Sequence, residues 1–141
     1  MALLFGRIVS STRPGTAAAA RVEDFVAAWE AAESAGTLIR ESWQQTKQIH
    51  YKSAVELVTS VDRQSESRIV AVLRKRFPGH SILAEEETRI TGAQGEYRWI
   101  IDPLDGTTNF AHGYPIFNVT LALARGSDIV AGVIFDPTRP D

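Results

Sequence analysis

The apolar residues of this chain change their spacing once, near the middle, and this change constrains the fold more than any other feature. Over residues 21–45 and again over 59–77, apolar side chains recur every three or four positions, as they do in amphipathic helices. Beyond Pro78 and Gly79 the apolar residues instead alternate with polar ones or form short β-branched runs. Helices followed by strands predict an α+β domain in which a helix pair packs on an antiparallel sheet.

Local signals set the expected boundaries. Thr59 with a carboxylate three residues later, Asp62, is typical of a helix N-terminus, so the second helix is predicted to begin there. Residues 48–58 are expected to form short extended pieces. Strands are predicted at 81–84, 97–101, 116–124 and 128–135, and the last two form a hairpin.

Residues 1–20 are expected to be a disordered leader. The apolar run at 2–5 is broken by Gly6 and Arg7, which is too early for a signal peptide. Ser, Thr, Pro and Gly residues follow, as in loops. An organelle-targeting leader stays open as an alternative, because the segment contains arginines and no acidic residue.

Composition excludes several kinds of function. The net charge is −2, which argues against a broad nucleic-acid-binding face. No apolar run approaches the roughly 18–20 residues of a membrane span. The chain has no cysteine, so it has neither disulfides nor a thiolate metal site, and a cytoplasmic location is expected. No nucleic-acid or membrane partner is predicted.

Acidic residues follow two of the predicted strands directly. Glu85 comes after strand 81–84, and Asp102 comes after strand 97–101, with Asp105 three residues later. If these strands are parallel neighbours, the carboxylates meet at one edge of the sheet, where they repel each other unless a cation is bound. Hard divalent cations take oxygen ligands, so a Mg²⁺ site is the natural interpretation.

The residues around Asp105 suit such a site. Pro103 stiffens the chain and leaves the Leu104 carbonyl free to turn inward as a further oxygen. Gly106 permits a sharp turn, and a short helix starting at Thr107 would present backbone N–H groups to an anion. Taken alone, this loop is also compatible with a solvated turn, and Glu85 with a solvated acidic loop. The two together favour a site.

The stretch W-I-I-D-P-L-D-G-T-T-N-F at 99–110 resembles the signature of the inositol monophosphatase family, the lithium-sensitive, Mg²⁺-dependent phosphatases. Weaker matches support it: Lys52 with L-V-T-S-V-D at 57–62, F-P-G-H-S-I-L-A-E-E at 77–86, and the hairpin at 118–137. The resemblance covers residues 21–141. One departure is Ala84, where many members have Gly or Thr.

The resemblance implies a role for each matching residue. Glu85 and Asp102 would bind one Mg²⁺ together with the Leu104 carbonyl, and Asp102 would share a second Mg²⁺ with Asp105. Asp62 and Thr107 would be the catalytic pair that orients and activates the attacking water.

The phosphate of the substrate would lie against the amides of Gly106 and Thr107. Lys52 is a possible further site residue, with a solvated surface lysine as its alternative. Neither Glu86 nor Glu87 is expected to be a ligand, and His112 is expected to be structural or exposed rather than a general acid.

The implied activity is Mg²⁺-dependent hydrolysis of a small phosphate monoester, with inositol 1-phosphate the first expected substrate. The implied fold is the N-terminal part of a layered αβαβα sugar-phosphatase, acting on a phosphorylated polyol or sugar as a homodimer. Members of the family are longer and carry a W-D-x-A-A segment that this chain lacks, so these 141 residues alone are expected to be weak or inactive.

Two alternatives to this function stay open. One is a non-catalytic binding or assembly fragment. The other is a relative that acts on 3′-phosphonucleotides, fructose bisphosphate or histidinol phosphate.

Overall fold

The computed structural model describes the backbone of residues 6–9, 21–46, 51–93 and 95–139, and the side chains of 21–45, 58–93 and 95–139. The elements in chain order are β1 (Gly6–Val9), α1 (Val22–Thr46), α2 (Tyr51–Arg76), β2 (Ser81–Ala84), β3 (Arg89–Ile90), β4 (Tyr97–Asp105), α3 (Thr107–Ala111), β5 (Asn118–Arg125) and β6 (Asp128–Phe135). No helix in these ranges is both long and apolar enough to cross a membrane.

The strands form one sheet in the order β1-β6-β5-β4-β2-β3. The β2–β4 pair is parallel, and every other neighbouring pair is antiparallel. The predicted α+β class, with a helix pair on a sheet, is confirmed. The sheet is mixed rather than wholly antiparallel, because the chain returns from β2 through β3 and a turn before it enters β4 in the same direction.

The core lies between the helix pair and one face of the sheet. A run of alanines in α1 is buried with Ile39, and α2 contributes Ile69 and Leu73. These small residues let α1 approach its neighbours closely. Gly36 shows how closely, since a Cβ there would lie 2.2 Å from the ring of Phe135 in β6. The sheet contributes Trp99, Ile101, Leu104, Val119, Leu121, Leu123, Val133 and Phe135.

The second helix begins at Tyr51 and not at Thr59, so the predicted start was wrong and residues 51–58 are helical rather than extended. Tyr51, Val55 and Val58 favour strands, but helix propensities of such residues differ by less than about 0.7 kcal/mol each. The packing of the long helix on α1 outweighs that preference. Thr59 therefore lies inside the helix and not at its start.

The expectation of a disordered leader is corrected for four of its residues. Gly6–Val9 forms β1 and pairs antiparallel with β6, with Gly6 opposite Phe135 and Val9 opposite Gly132. Without β1, β6 would be the outer strand of the sheet and would present a row of unpaired N–H and C=O groups. Backbone pairing with β1 satisfies these groups, and it does not depend on the side chains that β1 carries. The other residues of 1–20 lie outside the described ranges.

Candidate active site

The parallel pairing of β2 with β4 brings two acidic strand ends together. Ala84 lies opposite Ile101, and the N–H of Glu85 donates to the Ile101 carbonyl at 3.1 Å. Glu85, which follows β2, and Asp102, the next residue of β4, therefore lie side by side at one edge of the parallel pair. The structure thus meets the condition on which the predicted site depended.

A β-bulge in β4 places Asp105 beside Asp102. Asp102 pairs with Thr120 and Asp105 with Asn118, so three steps along β4 match two along β5. In a regular strand, residues three apart point to opposite faces, and the extra residue of a bulge reverses that. The sequence predicted a loop after Ile101, but β4 continues through this bulge to Asp105.

Gly106 makes the turn from β4 into α3. Its φ is +89°, and a Cβ there would lie 2.8 Å from the Ile116 carbonyl oxygen, so both the conformation and the space require glycine. α3 then starts at Thr107, as predicted. From the helix layer, α2 adds Asp62, which is 5% exposed.

These elements enclose a cleft of about 340 Å³. Its lining residues are Val58, Thr59, Asp62, Glu85, Glu86, Asp102, Leu104, Asp105, Gly106 and Thr107. Every predicted site residue with a described side chain is among them. The Leu104 side chain is buried in the core, so this residue presents its backbone to the cleft. Lys52 lies in α2, but its side chain is outside the described residues.

The cleft concentrates negative charge. The pKa of Asp62 is raised to about 7, first by burial and then by the neighbouring charges of Glu86, Asp102, Glu85 and Glu66. The pKa of Asp102 is also raised to about 7, first by burial and then by the charge of Glu85 and a hydrogen bond with it. None of the lining residues with a described side chain is basic. At neutral pH this cluster therefore binds protons where no cation balances its charge.

The donor set fits a hard divalent cation by its chemistry. It consists of oxygen atoms alone: the carboxyl groups of Asp62, Glu85, Asp102 and Asp105 and the backbone of Leu104. In the described part of the chain, no three His, Asp or Glu side chains already converge on a common metal-binding point. The raised pKa of Asp102 means that a cation bound here would compete with a proton, so metal binding would release protons.

Sequence reasoning missed two residues that hold the acidic groups in place. The Asn118 side-chain amide donates to Asp105 Oδ2 at 3.1 Å, and its carbonyl accepts from Thr120 Oγ1 at 2.7 Å. Glu66 is buried beside the cleft, four residues after Asp62. That spacing places both carboxyl groups on one face of α2. The sequence could therefore have indicated that Glu66 lies near the site.

Three other polar residues, which the sequence did not predict to be ligands, lie in or near this region. His112 does not line the cleft, and its Nδ1 is 2.7 Å from the Thr108 carbonyl oxygen. Glu87 forms an exposed ion pair with Arg63 at 3.0 Å. Glu86 does line the cleft, where its charge raises the pKa of Asp62.

The fold agrees with what comparison with known proteins shows. A sequence profile of the "Inositol monophosphatase family" matches residues 21–140, and the chain belongs to that family. It is 42% identical over 120 residues to "Inositol monophosphatase 3" of Solanum lycopersicum, which covers 82% of this chain and 45% of that protein. It is 45% identical over 97 residues to the "Inositol-1-monophosphatase" of Mesorhizobium japonicum, covering 69% of this chain and 36% of that protein.

A solved structure shows the same fold. The extragenic suppressor protein suhB from Bartonella henselae superposes with a TM-score of 0.73 at 36% identity, over 82% of this chain and 44% of that one. The chain thus spans less than half the length of these relatives.

Proposed function

We propose that this chain forms the metal-binding and water-activating part of a phosphatase that hydrolyses a small phosphate monoester with Mg²⁺. One observation carries the proposal: five carboxyl groups, from α2, from β4 and from the turn after β2, line one cleft, and two of them have a pKa of about 7. None of the described lining residues is basic. The repulsion within such a cluster lowers the stability of the fold unless a bound ligand offsets it, and this is typical of a functional site.

Glu85, Asp102, Asp105 and the Leu104 carbonyl would hold the Mg²⁺. When bound, Mg²⁺ supplies a positive charge that polarises the phosphoryl oxygens and makes a water molecule more acidic. The remaining steps belong to the chain itself. Asp62 lies on the helix side of the cleft with a pKa near neutral pH, the range suited to accepting a proton from the attacking water.

Thr107 and Gly106 also line the cleft. The Thr107 hydroxyl would orient the water toward Asp62. The backbone N–H groups of Gly106 and Thr107 would donate to the phosphate oxygens, whose charge is spread over several atoms during transfer. No covalent bond between phosphate and protein is needed. Lys52 would add a positive charge near the substrate.

Inositol 1-phosphate is the first substrate to test, because the relative from Mesorhizobium japonicum is named an inositol-1-monophosphatase. Esters of other polyols and sugars, 3′-phosphonucleotides, fructose bisphosphate and histidinol phosphate complete the panel. Lithium sensitivity, a homodimer and a cytoplasmic location stay predictions from the sequence.

The test combines metal binding with phosphate release on the 141-residue chain. Calorimetry with Mg²⁺ should show saturable binding, and Asp102→Asn should weaken it by at least about 100-fold, because it removes a ligand shared by both predicted metal positions. Asp128→Asn, an exposed acid in the β5–β6 hairpin, is the matched control and should bind as the unmodified chain does. No heat of binding at millimolar Mg²⁺ would overturn the proposal.

Phosphate release separates this function from a second candidate. A non-catalytic binding or assembly role, which the sequence left open, is that candidate. We expect weak Mg²⁺-dependent release from inositol 1-phosphate that Asp102→Asn abolishes. Intact Mg²⁺ binding with no release from any ester of the panel would favour the binding role instead.

A further inference from the structure

Beside the cleft, the buried carboxylate of Glu66 is held by several hydrogen bonds. The residue is 3% exposed and lies in α2 one helical turn after Asp62. Its carboxylate accepts hydrogen bonds from three consecutive backbone N–H groups. Glu86 donates to Oε2 at 3.0 Å, Glu87 to Oε1 at 3.1 Å, and Thr88 to Oε1 at 2.7 Å.

These three N–H groups belong to the turn that carries Glu85 from β2 toward β3. The turn is closed by the Ala84 N–H, which donates to the Thr88 carbonyl at 2.9 Å. On its other side, the Glu85 N–H is tied to β4 through Ile101. The Glu66 carboxylate joins α2 to all three remaining amides of the turn. The exposed ion pair of Arg63 with Glu87 is a second link between α2 and the turn, and exposed pairs of this kind are weak.

We propose that Glu66 is a positioning residue that fixes Glu85 at the distance from Asp62 that the cleft requires. The inference rests on the proposed function of the cleft and adds a residue to it. Because Asp62 and Glu66 are separated by one helical turn, α2 acts as a rigid spacer. One carboxyl group enters the cleft, and the other holds the turn from which Glu85 enters.

The chemistry at this position requires a carboxylate. Two oxygens with about four lone-pair sites and no donor suit three converging N–H groups. Glutamine has the same length but a single acceptor oxygen, and its NH₂ would face backbone N–H groups. Aspartate keeps the charge but is one methylene shorter. Glu66 also adds negative charge next to Asp62, which contributes to the raised pKa of that residue.

The experiment compares Glu66→Gln and Glu66→Asp with Ile69→Val as a matched control. Ile69 is fully buried one turn further along α2, so its variant perturbs packing without touching the turn. Two quantities are measured: hydrogen exchange of the amides of Glu86, Glu87 and Thr88 in the metal-free chain, and the Kd for Mg²⁺ by calorimetry.

We expect both Glu66 variants to increase exchange at these three amides by at least about tenfold relative to the alanines of α1. We expect both to weaken Mg²⁺ binding by about 10–100-fold, the usual cost of removing a group that orients a ligand. Ile69→Val should leave the relative exchange rates of the three turn amides unchanged. Its Kd for Mg²⁺ should lie within about twofold of that of the unmodified chain.

The outcomes separate positioning from charge and from the function itself. Weakened binding in Glu66→Gln with normal binding in Glu66→Asp would overturn the proposal, since only the lost charge would then matter. Faster exchange with an unchanged Kd in both variants would overturn it as well. If the unmodified chain binds no Mg²⁺, the proposed function fails, and unchanged protection of the three amides in the variants would then refute the positioning role separately.

Discussion

The two ends of the parallel strand pair β2 and β4 are built from opposite chemistry. At the N-terminal end, His80 stacks on Phe77 with ring centroids 4.7 Å apart and on Tyr97 at 5.0 Å, and Phe77 lies 5.8 Å from Trp99. At the C-terminal end, Glu85, which follows β2, and Asp102 of β4 line the acidic cleft. Four residues of strand, roughly 13 Å, separate the two ends.

The difference shows that the two ends of the strand pair affect stability and binding in different ways. The aromatic end buries large rings against each other and stabilises the fold. The acidic end buries carboxyl groups that repel each other, and it loses stability unless protons or a cation are bound. Substitutions at the aromatic end should therefore change unfolding more than binding, and substitutions at the acidic end should change binding more than unfolding.

The largest expected effect is at the aromatic end. Trp99→Ala should lower the free energy of unfolding by about 3–5 kcal/mol, because it removes a fully buried ring and leaves a cavity. The control is Ile100→Ala, the next residue of β4, whose side chain points to the other face and is 38% exposed. It should cost about 1 kcal/mol. Urea unfolding measures both, and equal losses would contradict the contrast between the ends.

The acidic end should make stability depend on pH in an uncommon direction. Asp62 and Asp102 have an ordinary pKa of 3.8 and a pKa of about 7 in the folded chain. Between these values the folded state binds more protons than the unfolded state, so stability is fully present below about pH 4 and is lost as pH rises through 7. We expect a loss of about 2–4 kcal/mol between pH 4 and pH 8, reduced from the sum of two separate shifts because the carboxyl groups interact.

Urea midpoints of the metal-free chain across this pH range measure the effect. Asp62→Asn should flatten the profile, whereas Asp128→Asn should leave it unchanged. Saturating Mg²⁺ at pH 8 should restore the lost stability, since a ligand bound only to the folded state stabilises it. A profile that rises from pH 4 to pH 8 would show that the cluster is not buried as described.

The smallest expected effect is the pH response of the aromatic end, and its sign is opposite. Burial lowers the pKa of His80 below its ordinary value of 6.5, and its Nδ1 is buried without a hydrogen-bond partner. Below about pH 6.5 the unfolded state then binds more protons than the folded state. The titration of His80 therefore lowers the stability of the fold as pH falls. The nearby charges partly offset each other, since Asp24 favours the protonated ring and Arg21 opposes it.

An NMR titration of the His80 ring, with Asp62→Asn as the background, isolates this contribution. In that background, His80→Gln should remove the remaining loss of stability on the acid side. A ring pKa above 6.5 would show that Asp24 dominates over burial.

Much of the site followed from local sequence. The D-P-L-D-G-T-T-N-F string predicted the acidic pair, the turn at Gly106 and the helix that starts at Thr107, because each depends on residues close in the chain. The start of α2 did not follow, since the apparent cap at Thr59 is a local signal that helix packing overrides. Strand β1 did not follow either, because its pairing with β6 is made by backbone groups that carry no sequence signature.

The sequence by itself determined the helix and strand types, the acidic strand ends and the family resemblance, since these rest on periodicity and on residues adjacent in the chain. Only the tertiary structure decided that β2 and β4 are parallel neighbours, that a bulge turns Asp105 to the side of Asp102, and that Glu66 holds the turn beside Glu85. Each of these depends on contacts between residues far apart in sequence. Their geometry is set by hydrogen-bond register and packing between elements rather than by the preferences of any one segment.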